Sequence, residues 1–124
     1  AQVRAVIGME VPLAADHFGH IGVNSCIRLA KALTKYNLAW LEDMIPWQYP
    51  QRLKKIADAV DIPILTGEDI YLKEDFIRLA QMGAVDMVHP DLATSGGLLE
   101  TKKIGDACME LGVPMAMHFA GTPI

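Results

Sequence analysis

The sequence predicts an α/β fold made of repeated βα units. Short apolar runs that end in a charged or polar residue alternate with longer stretches whose apolar residues recur at helical spacing. The runs are almost continuously apolar, which is typical of parallel strands buried on both faces. We expect five strands, at residues 11–16, 38–42, 62–68, 85–91 and 113–118, with four helices between them.

Each stretch between two runs places its apolar residues on one side of a helix, as packing against a sheet requires. Gly83 and Gly112 each follow a helical stretch and precede a strand, where a left-handed C-cap is expected. The apolar stripes are Cys26, Leu29, Ala30 and Leu33; Leu53, Ile56, Ala57 and Val60; and Phe76, Leu79 and Ala80.

Composition narrows the class of protein. Apolar residues make up 52% of the chain and charged residues 21%, and no apolar run is long enough to span a membrane. The net charge is −4 with both signs interspersed, so we expect no nucleic-acid partner. Cys26 and Cys108 lie in predicted helices without metal-binding spacing, and from the first residues of the sequence we expect no secretory signal. We therefore expect free thiols and a cytoplasmic location.

Alternating βα units form either an open doubly wound sheet or a closed barrel. A dinucleotide-binding sheet would need a glycine-rich loop after its first strand, where this chain has Asp-His-Phe-Gly-His. We therefore favour the barrel, in which the carboxyl ends of all strands converge on one rim. Intervals of 23 to 27 residues separate the polar residues that end the five strands, which are Asp16, Glu42, Glu68, Asp91 and His118.

Three successive strand-end carboxylates predict a metal site. One such residue would often only cap the following helix, but three clustered negative charges are costly unless a cation neutralises them. Carboxylates without nearby cysteine favour Mg²⁺, with Mn²⁺ as the alternative, and the ligands we expect are Asp16, Glu42 and Glu68. Asp91 on the next strand is placed to orient His118 as a general base.

These residues resemble the mandelate racemase-like subgroup of the enolase superfamily. The resemblance rests on Trp-Leu-Glu-Asp, Thr-Gly-Glu-Asp, His-Pro-Asp-Leu-Ala-Thr-Ser-Gly-Gly and the Pro-Met-Ala-Met before His118. It implies the third to seventh strands of a (β/α)₈ TIM barrel, with the metal ligands on the third to fifth and the Asp91–His118 pair on the sixth and seventh. The muconate-lactonising subgroup has a lysine where this chain has Asp91.

The resemblance implies removal of a proton α to a carboxylate, through an ene-diolate stabilised by Mg²⁺. The sequence after Asp16 is similar to acid-sugar dehydratases and cycloisomerases, so we expect a dehydratase, with His20 as the acid for the departing hydroxyl. A solvated loop imidazole is the alternative for His20. Racemase, epimerase or cycloisomerase activity also stays open. We interpret His89 as a barrel-interior residue near the site, and Trp47 and Tyr49 as packing a loop over the rim.

The resemblance also implies parts that this chain does not contain. We expect residues 1–124 to form a partial barrel domain without the capping domain and the remaining strands, and to be inactive alone. A non-catalytic barrel fragment, or a binding module that keeps the metal site, therefore remains an alternative. The expected partners are a small carboxylate or sugar-acid substrate and further copies of the chain in a homo-oligomer.

Overall fold

A four-stranded parallel sheet forms the centre of the structure, a computed structural model that describes residues 1–16 and 21–121. The strand order follows the chain, and every pairing between neighbours is parallel. This sequential parallel order is that of consecutive strands in a βα barrel, so the predicted fold class is confirmed. The strands are β1 Ala15–Asp16, β2 Leu41–Glu42, β3 Ile64–Thr66 and β4 Met87–Val88.

Within the described residues, five α-helices accompany the sheet, and four of them lie in the predicted stretches between strands. They are α1 Gln2–Ile7, α2 Val23–Leu33, α3 Pro50–Ala57, α4 Lys73–Met82 and α5 Leu98–Glu110. A 3₁₀ turn at Thr34–Tyr36 extends α2. None of the described helices has the length and apolar character needed to cross a membrane.

Helix α1 was not predicted, because its apolar residues form no buried stripe. Val3 and Val6 are 55% and 86% exposed. The buried Arg4 side chain instead holds the helix, since its guanidinium donates hydrogen bonds to the carbonyl oxygens of Gly8, Val11, Tyr36 and Asn37. Arg4 therefore ties α1 to the segments that lead into β1 and β2.

The core lies between the sheet and the helices, and the predicted apolar stripes supply most of the buried side chains that the helices contribute. Both cysteines are buried and unpaired by disulfide, as expected, and the Cys26 thiol donates a hydrogen bond of 3.1 Å to the Met44 carbonyl. Buried side chains from the strands meet those from the helices, namely Leu41, Ile64 and Val88 on one side and Cys26, Ala30, Leu53, Ile56, Phe76, Leu79, Ile104 and Cys108 on the other.

The fifth predicted strand forms only two isolated bridges, which pair Val88 with Met115 and Asp91 with His118. The amide of Val88 donates to the Pro114 carbonyl, and Ala116 and His118 donate back to the carbonyls of Val88 and Pro90. Pro90 lacks the amide that would make the next bond of a parallel ladder. The segment therefore runs beside β4 in the predicted place, but with an interrupted ladder.

Candidate active site

The carboxyl ends of the strands bring the predicted residues to one edge of the sheet. Asp16 ends β1 directly opposite Glu42 at the end of β2, because the two residues are paired in the parallel register. Adjacent strands are about 4.8 Å apart, so these two backbones are close neighbours. Glu68 follows two residues after the end of β3, and Asp91 and His118 face each other across the last bridge.

Three described carboxylates, those of Glu42, Asp43 and Glu68, have ligand oxygens within 4.8 Å of one another. Asp43 was not among the predicted ligands, since neighbouring residues in a strand point to opposite faces. Its backbone leaves the strand conformation, with a φ of 46°, and so its carboxylate lies beside that of Glu42. Aspartate is one of the residues that tolerate this left-handed region. Asp16 is exposed and lies outside this group of three.

The pKa of Asp43 reflects its burial and its charged neighbours. Burial first, and then the negative charges of Glu68, Glu42 and Asp16, raise the pKa of Asp43 to about 6 in spite of the hydrogen bond donated by Thr66, which lowers it. Asp16 thus lies close enough for its negative charge to contribute to the raised pKa of Asp43. A set of carboxylate oxygens whose charges repel fits a hard divalent cation such as Mg²⁺, which would relieve that repulsion.

Asp91 and His118 form a hydrogen-bonded pair beside the carboxylates. The His118 Nδ1 atom is 2.8 Å from Oδ2 of Asp91, which also accepts a hydrogen bond from the Ala120 amide. The other oxygen of Asp91 accepts from the Ala93 amide at 2.7 Å. The hydrogen bond with His118 is the main reason that the pKa of Asp91 is lowered. Asp91 is therefore a charged, buried acceptor that fixes the orientation of the imidazole.

The second ring nitrogen of His118 points into the cluster, with Nε2 2.8 Å from Oε2 of Glu68. Burial lowers the pKa of His118, but the hydrogen bond to Asp91 and the charges of Glu68, Asp91 and Glu42 outweigh it, so the net shift is upward. A carboxylate at each nitrogen favours the doubly protonated imidazolium over the neutral ring.

Replacing Asp91 by asparagine is expected to lower the pKa of His118. The substitution keeps the size of the side chain but removes a hydrogen-bonded negative charge that favours the imidazolium. A pH titration of the histidine ring protons by NMR measures the shift. Asp86→Asn is the matched control, because Asp86 accepts from the Ile64 amide at the other end of β4. An unchanged or raised pKa of His118 in Asp91→Asn would contradict this electrostatic description.

His89 and Trp40 surround the Glu42 carboxylate. The His89 Nδ1 atom lies 2.5 Å from Oε1 of Glu42, and the Trp40 indole donates a hydrogen bond of 3.0 Å to Oε2. The rings of His89 and His118 meet edge to face, with centroids 5.3 Å apart. The sequence placed His89 inside the barrel near the site, but the pairing with Glu42 spans β3 and could not be read from it.

A cleft of about 210 Å³ opens beside the cluster and is lined by Asp43, Glu68, Trp47 and Gln48, among others. Trp47 packs against the core, while Tyr49 is half exposed. The predicted acid His20 lies outside the described residues, together with the rest of 17–20. The structure therefore gives a polar cavity next to the carboxylates but does not test the role of His20.

Comparison with known proteins identifies the family. A family model described as "Enolase C-terminal domain-like" matches residues 1–124. The chain belongs to the enolase superfamily. Within this superfamily it is similar to the D-xylonate dehydratase of Haloferax volcanii, with 36% identity over 123 residues, which cover 98% of this chain and 30% of that protein.

Solved structures of the superfamily agree in fold. A mandelate racemase/muconate lactonizing enzyme-like protein from Rubrobacter xylanophilus superposes with a TM-score of 0.93 and 36% identity, covering 98% of this chain and 31% of its own. The L-talarate dehydratase from Polaromonas, solved with Mg and L-glucarate, has a TM-score of 0.89 and 28% identity over 95% of this chain and 33% of its own. The chain thus spans about a third of the length of these relatives.

Proposed function

We propose that the complete protein dehydrates a sugar acid in a Mg²⁺-dependent reaction, with Asp16, Glu42 and Glu68 as metal ligands. The observation that carries the proposal is the 2.8 Å approach of His118 Nε2 to Glu68. This contact supports the proposal, because the side chain that we propose as the base lies next to a carboxylate that we propose as a metal ligand. The dehydratase activity of the similar Haloferax volcanii protein supports the choice among the reactions of the superfamily.

In the first step, removal of the α-proton, two residues of this chain have different roles. His118 accepts the α-proton of the substrate at Nε2, and the electron pair of the broken C–H bond passes into the substrate carboxylate. Asp91 holds the ring by Nδ1 and stabilises the imidazolium that forms. Bound Mg²⁺ would supply positive charge to stabilise the carboxylate as that electron pair arrives.

In the second step the substrate loses its β-hydroxyl as water. An acid protonates the departing hydroxyl, and the carbon skeleton becomes an enol that tautomerises to a 2-keto-3-deoxy acid. We assign the acid to His20, which follows the first strand-end carboxylate by four residues. The cleft beside Asp43 and Glu68 offers the polar side chain of Gln48 to substrate hydroxyl groups.

The experiment is an activity screen of the complete natural protein with Mg²⁺ and a panel of aldonates and aldarates. Formation of 2-keto-3-deoxy acid, abolished by a chelator and restored by Mg²⁺ or Mn²⁺, is the expected result. Glu68→Gln is expected to lose most of this activity, since the amide no longer provides a charged ligand. Epimerisation or ring closure of the substrates without loss of water would contradict the assignment as a dehydratase.

A further inference from the structure

We infer that Trp40 and His89 are positioning residues that hold the Glu42 carboxylate in the orientation for metal binding. The inference rests on the proposed function, in which Glu42 is a metal ligand. It extends that function to two residues whose side chains contact the ligand rather than the substrate.

Each oxygen of Glu42 has its own N–H donor. The Trp40 indole has only a donor, and it reaches Oε2 at 3.0 Å. An ionised carboxylate only accepts, so the proton of the second contact resides on Nδ1 of His89, 2.5 Å from Oε1. A carboxylate has about four lone-pair sites, and two donors leave one site on each oxygen for a cation.

The fold fixes both donors. Trp40 lies two residues before Glu42, so both side chains are on the same face of the chain. The His89 amide donates a hydrogen bond of 3.0 Å to the Thr66 carbonyl, which anchors His89 beside β3. Its ring packs edge to face on His118, at an interplanar angle of 81°. The His89 and Glu42 side chains are only 14% and 12% exposed, so little water competes for the contact.

The two donors together restrict rotation of the carboxylate about its last bond. Without these two hydrogen bonds the Glu42 carboxylate would rotate more freely in the metal-free protein. Metal binding would then have to order it, and the entropy cost of that ordering would weaken metal binding. Hydrogen-bond partners of metal ligands commonly contribute about 10- to 100-fold in metal affinity or activity. We expect an effect of that size from each donor.

The test measures the Mn²⁺ affinity of the complete wild-type protein and of four variants of it, with free Mn²⁺ detected by EPR. His89→Leu removes one donor, and Trp40→Phe removes the other but keeps an aromatic ring. His89→Asn is the matched rescue, because its side-chain amide can occupy the position of Nδ1. Glu42→Gln tests the ligand itself. Thermal unfolding of the metal-free proteins checks that each variant is folded.

We expect His89→Leu and Trp40→Phe each to weaken Mn²⁺ binding about 10- to 100-fold, and His89→Asn to stay within about 3-fold of wild type. A merely structural role would not separate leucine from asparagine at residue 89. The inference is overturned if both donor-deleting variants bind Mn²⁺ as wild type does, or if His89→Asn loses as much as His89→Leu. If His89→Leu does not fold, Trp40→Phe alone decides.

The control with Glu42 separates this inference from the proposed function. If Glu42→Gln abolishes binding while His89→Leu and Trp40→Phe bind normally, the metal site stands and only the positioning role fails. If wild type binds no Mn²⁺, or Glu42→Gln binds as wild type does, the proposed metal site fails and the positioning role fails with it.

Discussion

Replacing His118 by asparagine is expected to reduce turnover of the sugar-acid substrate by about 10²- to 10⁴-fold, the usual contribution of a general base. The asparagine amide can still donate to Asp91, which accepts from His118 Nδ1 at 2.8 Å. It has no basic nitrogen in place of Nε2, so the α-proton has no acceptor. Steady-state kinetics of the complete protein measure the loss, and Mn²⁺ titration checks that metal binding survives.

Substitution of His20 provides the matched comparison for His118. If His20 is the acid for the departing hydroxyl, His20→Asn loses formation of the keto acid but still exchanges the α-proton with deuterated water. His118→Asn is expected to lose both exchange and product, because proton removal comes first. Exchange at the wild-type rate in His118→Asn would show that another group removes the proton.

The second large effect is expected at Gly67, between β3 and Glu68. Its backbone φ is 154°, and an added Cβ would lie 2.7 to 2.9 Å from the backbone N, C and O atoms of His89. Backbone atoms cannot move aside as a flexible side chain can. Gly67→Ala is therefore expected to destabilise the fold by about 3 kcal/mol, through strain and overpacking. It would also displace Glu68 and His89, and so weaken metal binding.

Gly112→Ala is the matched control for this substitution. Gly112 also has a positive φ, of 72°, but an added Cβ would meet no atom within 4 Å. Its cost is expected to be about 1 kcal/mol, from the left-handed backbone alone. Urea unfolding followed by circular dichroism measures both free energies of unfolding. Equal effects of the two substitutions would contradict the close contact between Gly67 and His89.

The position of the site could be predicted from the sequence, because parallel strands place all of their carboxyl ends at the same edge of the sheet. The spacing of Asp16, Glu42, Glu68, Asp91 and His118 therefore predicted that these residues end strands at one edge. Glu68, Asp91 and His118 are in contact there, whereas Asp16 lies outside the carboxylate cluster. The break in the fifth strand was also present in the sequence, since Pro90 removes one amide from the ladder. The apolar pattern that predicts the strand does not depend on this amide, and so it predicts a continuous ladder.

Other features depend on three-dimensional detail that has no local pattern. Asp43 joins the cluster through a single backbone torsion at the end of β2. The hydrogen bond between His89 and Glu42 connects residues 47 positions apart across an intervening strand. Arg4 holds α1 by donating hydrogen bonds to backbone carbonyls. Every residue has a backbone carbonyl, so the sequence does not reveal which ones Arg4 contacts. Each of these depends on tertiary packing.

The most direct test of the metal centre is a crystal structure of the complete protein soaked with Mn²⁺, with the ion located by anomalous scattering. One ion within about 2.2 Å of carboxylate oxygens from Asp16, Glu42 and Glu68, with the Nε2 side of His118 facing it, is the predicted result. Ion density absent from the edge where these strands end, or coordinated without Glu42 and Glu68, would contradict the account.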